Sequence, residues 1–133
     1  MTPADGAGVT EINLPDVVAA AAVAFARYEA ALVSNDVATL DTLFWESAHT
    51  IRYVVAGVLY GSAEIHAFRA DRPSAGLARS LERTVITTFG RDAATASTLF
   101  CRTPGKLGRQ IQTWIRLPEG WRVVEAHVSV VDG

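Results

Sequence analysis

Cysteine occurs once in this 133-residue chain, as Cys101, which excludes an internal disulfide and leads us to expect a reducing compartment. No apolar run nears the ~20 residues that a membrane helix needs, and no basic segment followed by an apolar core opens the sequence. A soluble, cytoplasmic protein without a membrane partner is the expectation. A strong positive balance is also missing. The formal net charge is −2 at pH 7, which argues against nucleic acid as a main partner. Lysine is nearly absent, Lys106 being the only one among twelve basic residues. The arginine excess fits codon bias, and it equally fits recognition of planar anions, because a guanidinium meets a carboxylate through two parallel hydrogen bonds. What is present is a chain that is 50% hydrophobic, with a mean hydropathy of +0.21. That is too apolar for a disordered chain and the right length for one compact domain.

Residues 1–13 carry few large apolar side chains and read as a flexible tail, leaving 14–133 as the domain. Pro15 and Asp16 make a favourable first turn for a helix reaching about Val33, with Val18, Ala21, Phe25, Tyr28 and Leu32 on one face. Ser34-Asn35-Asp36 breaks the pattern, and Asp36 can cap a second helix running through Phe44 and Trp45. A β-branched stretch from His49 to Val55 reads as a strand, and Gly57 and Gly61 bracket a turn. Ser62 is a cap candidate for a third helix, Ala63 to about Arg72, that Pro73 and Gly76 end. The remainder reads as four strands, Arg79–Phe89, Ala94–Arg102, Arg109–Leu117 and Trp121–Val131, joined by short glycine-containing turns. The expected fold class is therefore α+β, with helices covering one face of a curved antiparallel sheet. In the last strand Val124, Ala126, Val128 and Val130 fall on one side, with Trp121 and Val123 on the other. Strands apolar on both faces need a second cover, and a second copy of the chain, forming a homodimer or tetramer, is the natural one.

The glycines match no phosphate-cradling pattern, no Gly-x-Ser-x-Gly elbow occurs, and Cys101 has no spaced partner for zinc. Glu125 and His127 are too weak a pair to imply a metal, so neither metal nor cofactor is expected. The positive signals are polar groups on apolar faces. Tyr28 lies between Phe25 and Leu32, where it is either core or a proton donor in a dry pocket. Arg52 shares a strand face with Thr50 and Val54, as a structural ion pair or as a socket for a carboxylate. Arg69 and Arg72 share a helix face with Ile65 and Phe68, and Arg72 is expected to snorkel outward. Gln112 and Trp114 share one strand face, and His127 and Ser129 another, the latter pair of undecided direction. Arginines and a tyrosine converging in one cavity would select a small carboxylated molecule.

The order of elements resembles the cone-shaped nuclear-transport-factor-2-like (NTF2-like) fold, which includes polyketide cyclases of the SnoaL type. The stretch Gln112-Thr113-Trp114 with Pro118 to Ser129 also resembles the assembly domain of calcium/calmodulin-dependent kinase. A longer match runs from Glu11 to Val130. Glu11-Ile12-Asn13-Leu14-Pro15, Phe25-Ala26-Arg27-Tyr28-Glu29, Leu43-Phe44-Trp45 and Arg52-Tyr53 are similar to the AtzH-like family, as are Ala67-Phe68-Arg69-Ala70-x-Arg72-Pro73, Thr87 to Arg91 and Gly108 to Trp114. That resemblance implies three N-terminal helices on a curved sheet. It further implies a decarboxylating amidohydrolase that converts a dicarboxylated urea to allophanate in nitrogen-compound breakdown, with Tyr28 and Arg52 as the catalytic pair. Arg69, Gln112, Trp114, His127 and Ser129 would line the substrate site. A noncatalytic small-acid-binding or assembly subunit accompanying an amidase is the alternative. An isomerase or dehydratase of the ketosteroid type would need a carboxylate base, and none of Asp16, Glu29, Asp41 and Glu64 reads as inward.

Overall fold

In the computed structural model, which describes residues 10–133, three helices pack on one face of a six-stranded sheet. Helix α1 spans Pro15–Val33, its first turn holding Pro15 and Asp16 and its buried stripe holding Ala21, Phe25, Tyr28 and Leu32. Asp36 caps α2 (Val37–Leu43) by accepting from the Thr39 backbone N–H at 3.1 Å. That helix stops before Phe44 and Trp45, expected to be its last residues. The Trp45 N–H instead donates to the Val123 carbonyl at 3.0 Å, which draws the chain alongside the start of the last strand.

Between Gly57 and Gly61 the expected turn is a strand. β1 (Ile51–Val54) and β2 (Gly57–Tyr60) form a hairpin closed by Val55 and Ala56. Val58, Leu59 and Tyr60 favour extended backbone strongly enough to keep the glycines at its ends. Gly61, at φ +85°, turns the chain into α3 (Ser62–Asp71), so it holds the cap position and Ser62 falls inside the helix. The third helix thus follows a hairpin rather than completing an N-terminal trio.

β3 (Ser80–Phe89), β4 (Ala93–Cys101), β5 (Lys106–Leu117) and β6 (Gly120–Asp132) form the expected meander. The sheet order is β2-β1-β6-β5-β4-β3. Every pairing is antiparallel except β1 with β6, which is parallel, so the sheet is mixed. A bulge places Val124 between two paired residues, Thr113 lying opposite Glu125 and Trp114 opposite Val123. Strict alternation fails across it, and Val123 joins Ala126 in the core instead of facing the other way.

The core lies between helices and sheet, with Phe25, Tyr28, Leu32, Leu40, Leu43, Phe44 and Ile65 meeting Ala94, Ala96, Trp114, Val123 and Ala126. Of the expected tail, residues 1–9 lie outside the described residues. Glu11–Asn13 are not free: the Asn13 N–H donates to Thr88, the Gly90 N–H donates to Glu11, and Ile12 bridges to Phe89. No described helix is long and apolar enough to cross a membrane.

Candidate functional site

One cavity of about 250 Å³ opens where α1, β1, the end of α3 and the segment 72–79 meet the inner face of the sheet. It is smaller than the ~300–1,000 Å³ of drug-sized ligand pockets, a scale suited to a small metabolite. The periodicity of α1 delivers Tyr28 to its wall, 2% exposed, with its ring edge-on to Trp114 at 6.4 Å and tilted against Phe44 at 6.1 Å. Strand alternation delivers Arg52, 8% exposed, which registers between Leu59 and Ala126 on the inner face. Phe68 stands between Arg52 and Arg72, its ring centre 5.5 Å from one guanidinium carbon and 5.9 Å from the other. Tyr28 and Arg52 therefore meet in one hollow, as the sequence led us to expect.

Neither Arg69, in α3, nor Arg72, just past its end, takes its expected place. Arg69 is fully buried beneath the core, over the Phe44 ring at 4.1 Å, and donates to Asp41 at 3.3 Å. It lines a second hollow with Asp41 and His66, not the cavity of Tyr28. Burial, with Arg52 nearby, pulls its pKa down to about 10. Arg72 does not snorkel outward. The helix ends at Asp71, so extended backbone at Arg72 swings its side chain off the helical face and into the cavity. Its Nε–H donates to Asn35 Oδ1 at 3.3 Å, and burial followed by repulsion from Arg52 lowers its pKa.

Four further corrections concern the expected lining. Trp114 is core, its indole N–H satisfied by Gln112 Oε1 at 3.0 Å, and neither residue lines the cavity. His127 and Ser129 lie on the outer face, His127 against the Tyr53 ring and Ser129 accepting from Arg109 at 3.2 Å. Alternation along β6 sends both away because Ala126 and Val128 face in. Among the described residues no three His, Cys, Asp or Glu side chains gather into a metal-holding group.

In their stead the cavity holds Arg79, Arg102 and Gln110. Arg79 is neutralised by Glu29, which accepts at 2.8 and 2.6 Å, so this carboxylate is half-buried and engaged rather than outward as expected. Arg102 sits at the mouth, donating to the Leu77 carbonyl at 3.3 Å, with its pKa lowered by partial burial and then by Arg79. Gln110 shares its strand face with Gln112 and was reachable by the same alternation. Arg79 and Arg102 flank strands and owe their direction to the 72–79 segment, which leaves no periodic trace in sequence.

Arg52, Arg72 and Arg102 thus face one cavity with no carboxylate partner among the described residues. Buried side-chain atoms left without a partner are Arg52 Nη1, Arg72 Nη2 and Gln110 Nε2 on residues that line this cavity, and Arg69 Nε and Nη2, Gln112 Nε2 and Thr88 Oγ1 on residues that do not. Six of these seven are N–H donors, so the interior presents donors and lacks acceptors.

The family model described as AtzH-like matches residues 10–133. A protein of unknown function from Pectobacterium atrosepticum is 55% identical, with 99% of each chain covered and a TM-score of 0.90. A cystatin-like fold protein from Burkholderia xenovorans is 48% identical over 93% of this chain and 98% of that one, with a TM-score of 0.89. An NTF2-like superfamily protein from Salmonella enterica is 25% identical over 86% of this chain and 90% of that one, with a TM-score of 0.70. No curated protein matches the chain.

Proposed function

Since the chain belongs to the AtzH-like family and has the α+β NTF2-like fold, we propose that it is a decarboxylating amidohydrolase acting on a small dicarboxylated urea to give allophanate. The observation that carries this reading is the meeting of a buried phenol with three guanidiniums that lack carboxylate partners, in a cavity sized for about ten heavy atoms. A dianion supplies the missing countercharge, and its oxygens supply acceptors for the waiting donors.

In the proposed reaction the bond between one urea nitrogen and its terminal carboxylate carbon breaks. The electron pair stays on nitrogen and spreads onto the central carbonyl oxygen, where Arg52 stabilises it. Tyr28 protonates the nitrogen, and the carbon leaves as carbon dioxide. Arg72 and Arg102 hold the remaining carboxylate at the mouth and fix the orientation. The proposal extends to a homodimer through the outer sheet face, which carries exposed Tyr53, Val58 and Ile111.

The test is release of carbon dioxide and formation of allophanate from freshly prepared dicarboxyurea. Turnover by the unmodified protein is expected, falling ~100-fold or more in Tyr28→Phe with an unchanged melting temperature. A fully active Tyr28→Phe would remove the phenol from the mechanism. No turnover by the isolated protein, together with co-purification with an amidase, would favour the noncatalytic subunit.

A further inference from the structure

Gln110 is buried, 5% exposed, and lines the cavity beside Tyr28 and Arg52. A carboxamide has an accepting and a donating end, and which end faces a ligand depends on what holds the other. Here the holding group settles it. Arg79 Nη2 lies 3.1 Å from Gln110 Oε1, and a guanidinium can only donate, so the oxygen is committed to Arg79. Arg79 cannot rotate away, because Glu29 takes its Nε–H and Nη2–H in a two-point clasp and its own side chain is 1% exposed over the Phe100 ring. Gln110 Nε2 is left buried with no partner among the described residues.

We infer that Gln110 is a further substrate-contacting residue, whose Nε2–H donates to an oxygen of the bound anion. Glu29 and Arg79 are positioning residues that keep the donating end turned inward. The inference rests on the proposed reading of the cavity as an anion site, and it adds a specificity rule. The wall at Gln110 accepts a carbonyl or carboxylate oxygen and rejects an N–H at the same place, because a buried donor facing a donor loses both hydrogen bonds.

Malonate, a stable dianion, serves as the probe, with calorimetric titration as the readout. Gln110→Leu keeps the volume and removes the donor, and binding is expected to weaken about tenfold. Gln110→Glu keeps an oxygen for Arg79 but turns an acceptor bearing charge toward the anion, and a loss of ~100-fold or more is expected. Replacing Glu29→Gln and Arg79→Met together, so that no unpaired charge is added, is expected to weaken binding about tenfold in the unmodified protein. In the Gln110→Leu background the same pair should change it by less than twofold. A role in stability alone would give equal effects in both backgrounds and would overturn the positioning. Normal malonate binding by both Gln110 variants, with binding lost in Arg52→Gln, overturns the role of Gln110 while leaving the cavity an anion site. Absence of malonate binding by the unmodified protein, or normal binding by Arg52→Gln, overturns the anion reading itself.

Discussion

A single turn of helix separates Arg69 from Arg72, and the two arginines have opposite work to do. Arg69 lies inside α3 and is packed under the core, whereas Arg72 lies one residue past its end and reaches the cavity. On the proposed function, Arg72→Gln is therefore expected to raise KM ~10-fold or more with a smaller change in kcat, because the proposed ground-state clamp on a substrate carboxylate is lost. Its melting temperature should hold, which differential scanning calorimetry can check. Arg69→Gln should act on the fold, lowering stability by about 1–3 kcal/mol. The figure is at the modest end because Asp41 keeps a third of its side chain in water. The pH dependence follows from the depressed pKa of Arg69, about 10 and well below the ordinary guanidinium value. Between those values the unfolded chain binds the extra proton, so the Arg69 contribution rises as pH climbs through that window and is flat below it. Urea denaturation of the two proteins should show a difference that is constant from pH 6 to 9 and widens above pH 10. Constancy beyond pH 10 would contradict it. Helical spacing placed Tyr28 and strand parity placed Arg52, both from residues alone. That spacing ceases to apply once the helix stops at Asp71, which is why helical periodicity points Arg72 to the rim while the structure turns it into the cavity.

At the scale of elements, the alternation of small and large residues across β4 and β5 shapes the cavity wall. Gly108 faces Phe100 in register, and a Cβ at position 108 would lie within the Phe100 ring. The ring in turn carries the guanidiniums of Arg79 and Arg102, at 4.5 and 5.4 Å from its centre. Gly108→Ala should destabilise the protein by about 1–3 kcal/mol through overpacking, and it should weaken malonate binding as well by displacing both arginines. Unchanged binding at reduced stability would show that the ring yields without moving the cations. The cap of α2 offers a pH-dependent counterpart. Hydrogen bonds from the Thr39 side chain and backbone N–H hold the Asp36 carboxyl below its usual range. That cap stabilises α2 above the ordinary carboxylate pKa and is lost as pH falls through the lowered value. Asp36→Ala should lower the melting temperature at pH 7, with the difference vanishing near pH 2. The boundaries of α1 and of the meander were legible because periodicity and turn residues agree there. The β1–β2 hairpin was not, since two glycines four residues apart read as a turn until the β-branched and aromatic residues between them find a strand to pair with. The bulge at Val124 was equally silent, because nothing in a run of valines marks which one is extra.

For the whole molecule, the decisive feature is the face the helices leave uncovered. Val58, Tyr53, His127, Ile111, Ser97 and Val85 pair in turn across all six strands, one residue from each, and so form a single row on the outer side. Val58, Ile111 and Val85 are each more than half exposed, and Tyr53 is 36% exposed. A row of four apolar or aromatic side chains among six, spanning a whole sheet, is larger than the isolated exposed side chains normal on a monomer. Ile111 lies near its middle, on β5, with Arg109 beside it and Glu125 on the neighbouring strand. Two copies related by a twofold axis would bring Ile111 against the same row of the other copy, and would allow Arg109 and Glu125 to meet across it. The helices and the cavity stay on the far side, so association through this face leaves the site open. Ile111→Lys is expected to shift sedimentation from a dimer to a monomer at micromolar concentration, with near-unchanged malonate affinity. A charge at the centre of an apolar contact is desolvated twice, once in each copy, whereas a monomer keeps both in water. Sedimentation of the unmodified protein as a monomer would exclude the interface. A monomeric Ile111→Lys that also loses malonate would mean that the second copy supports the cavity from behind the sheet.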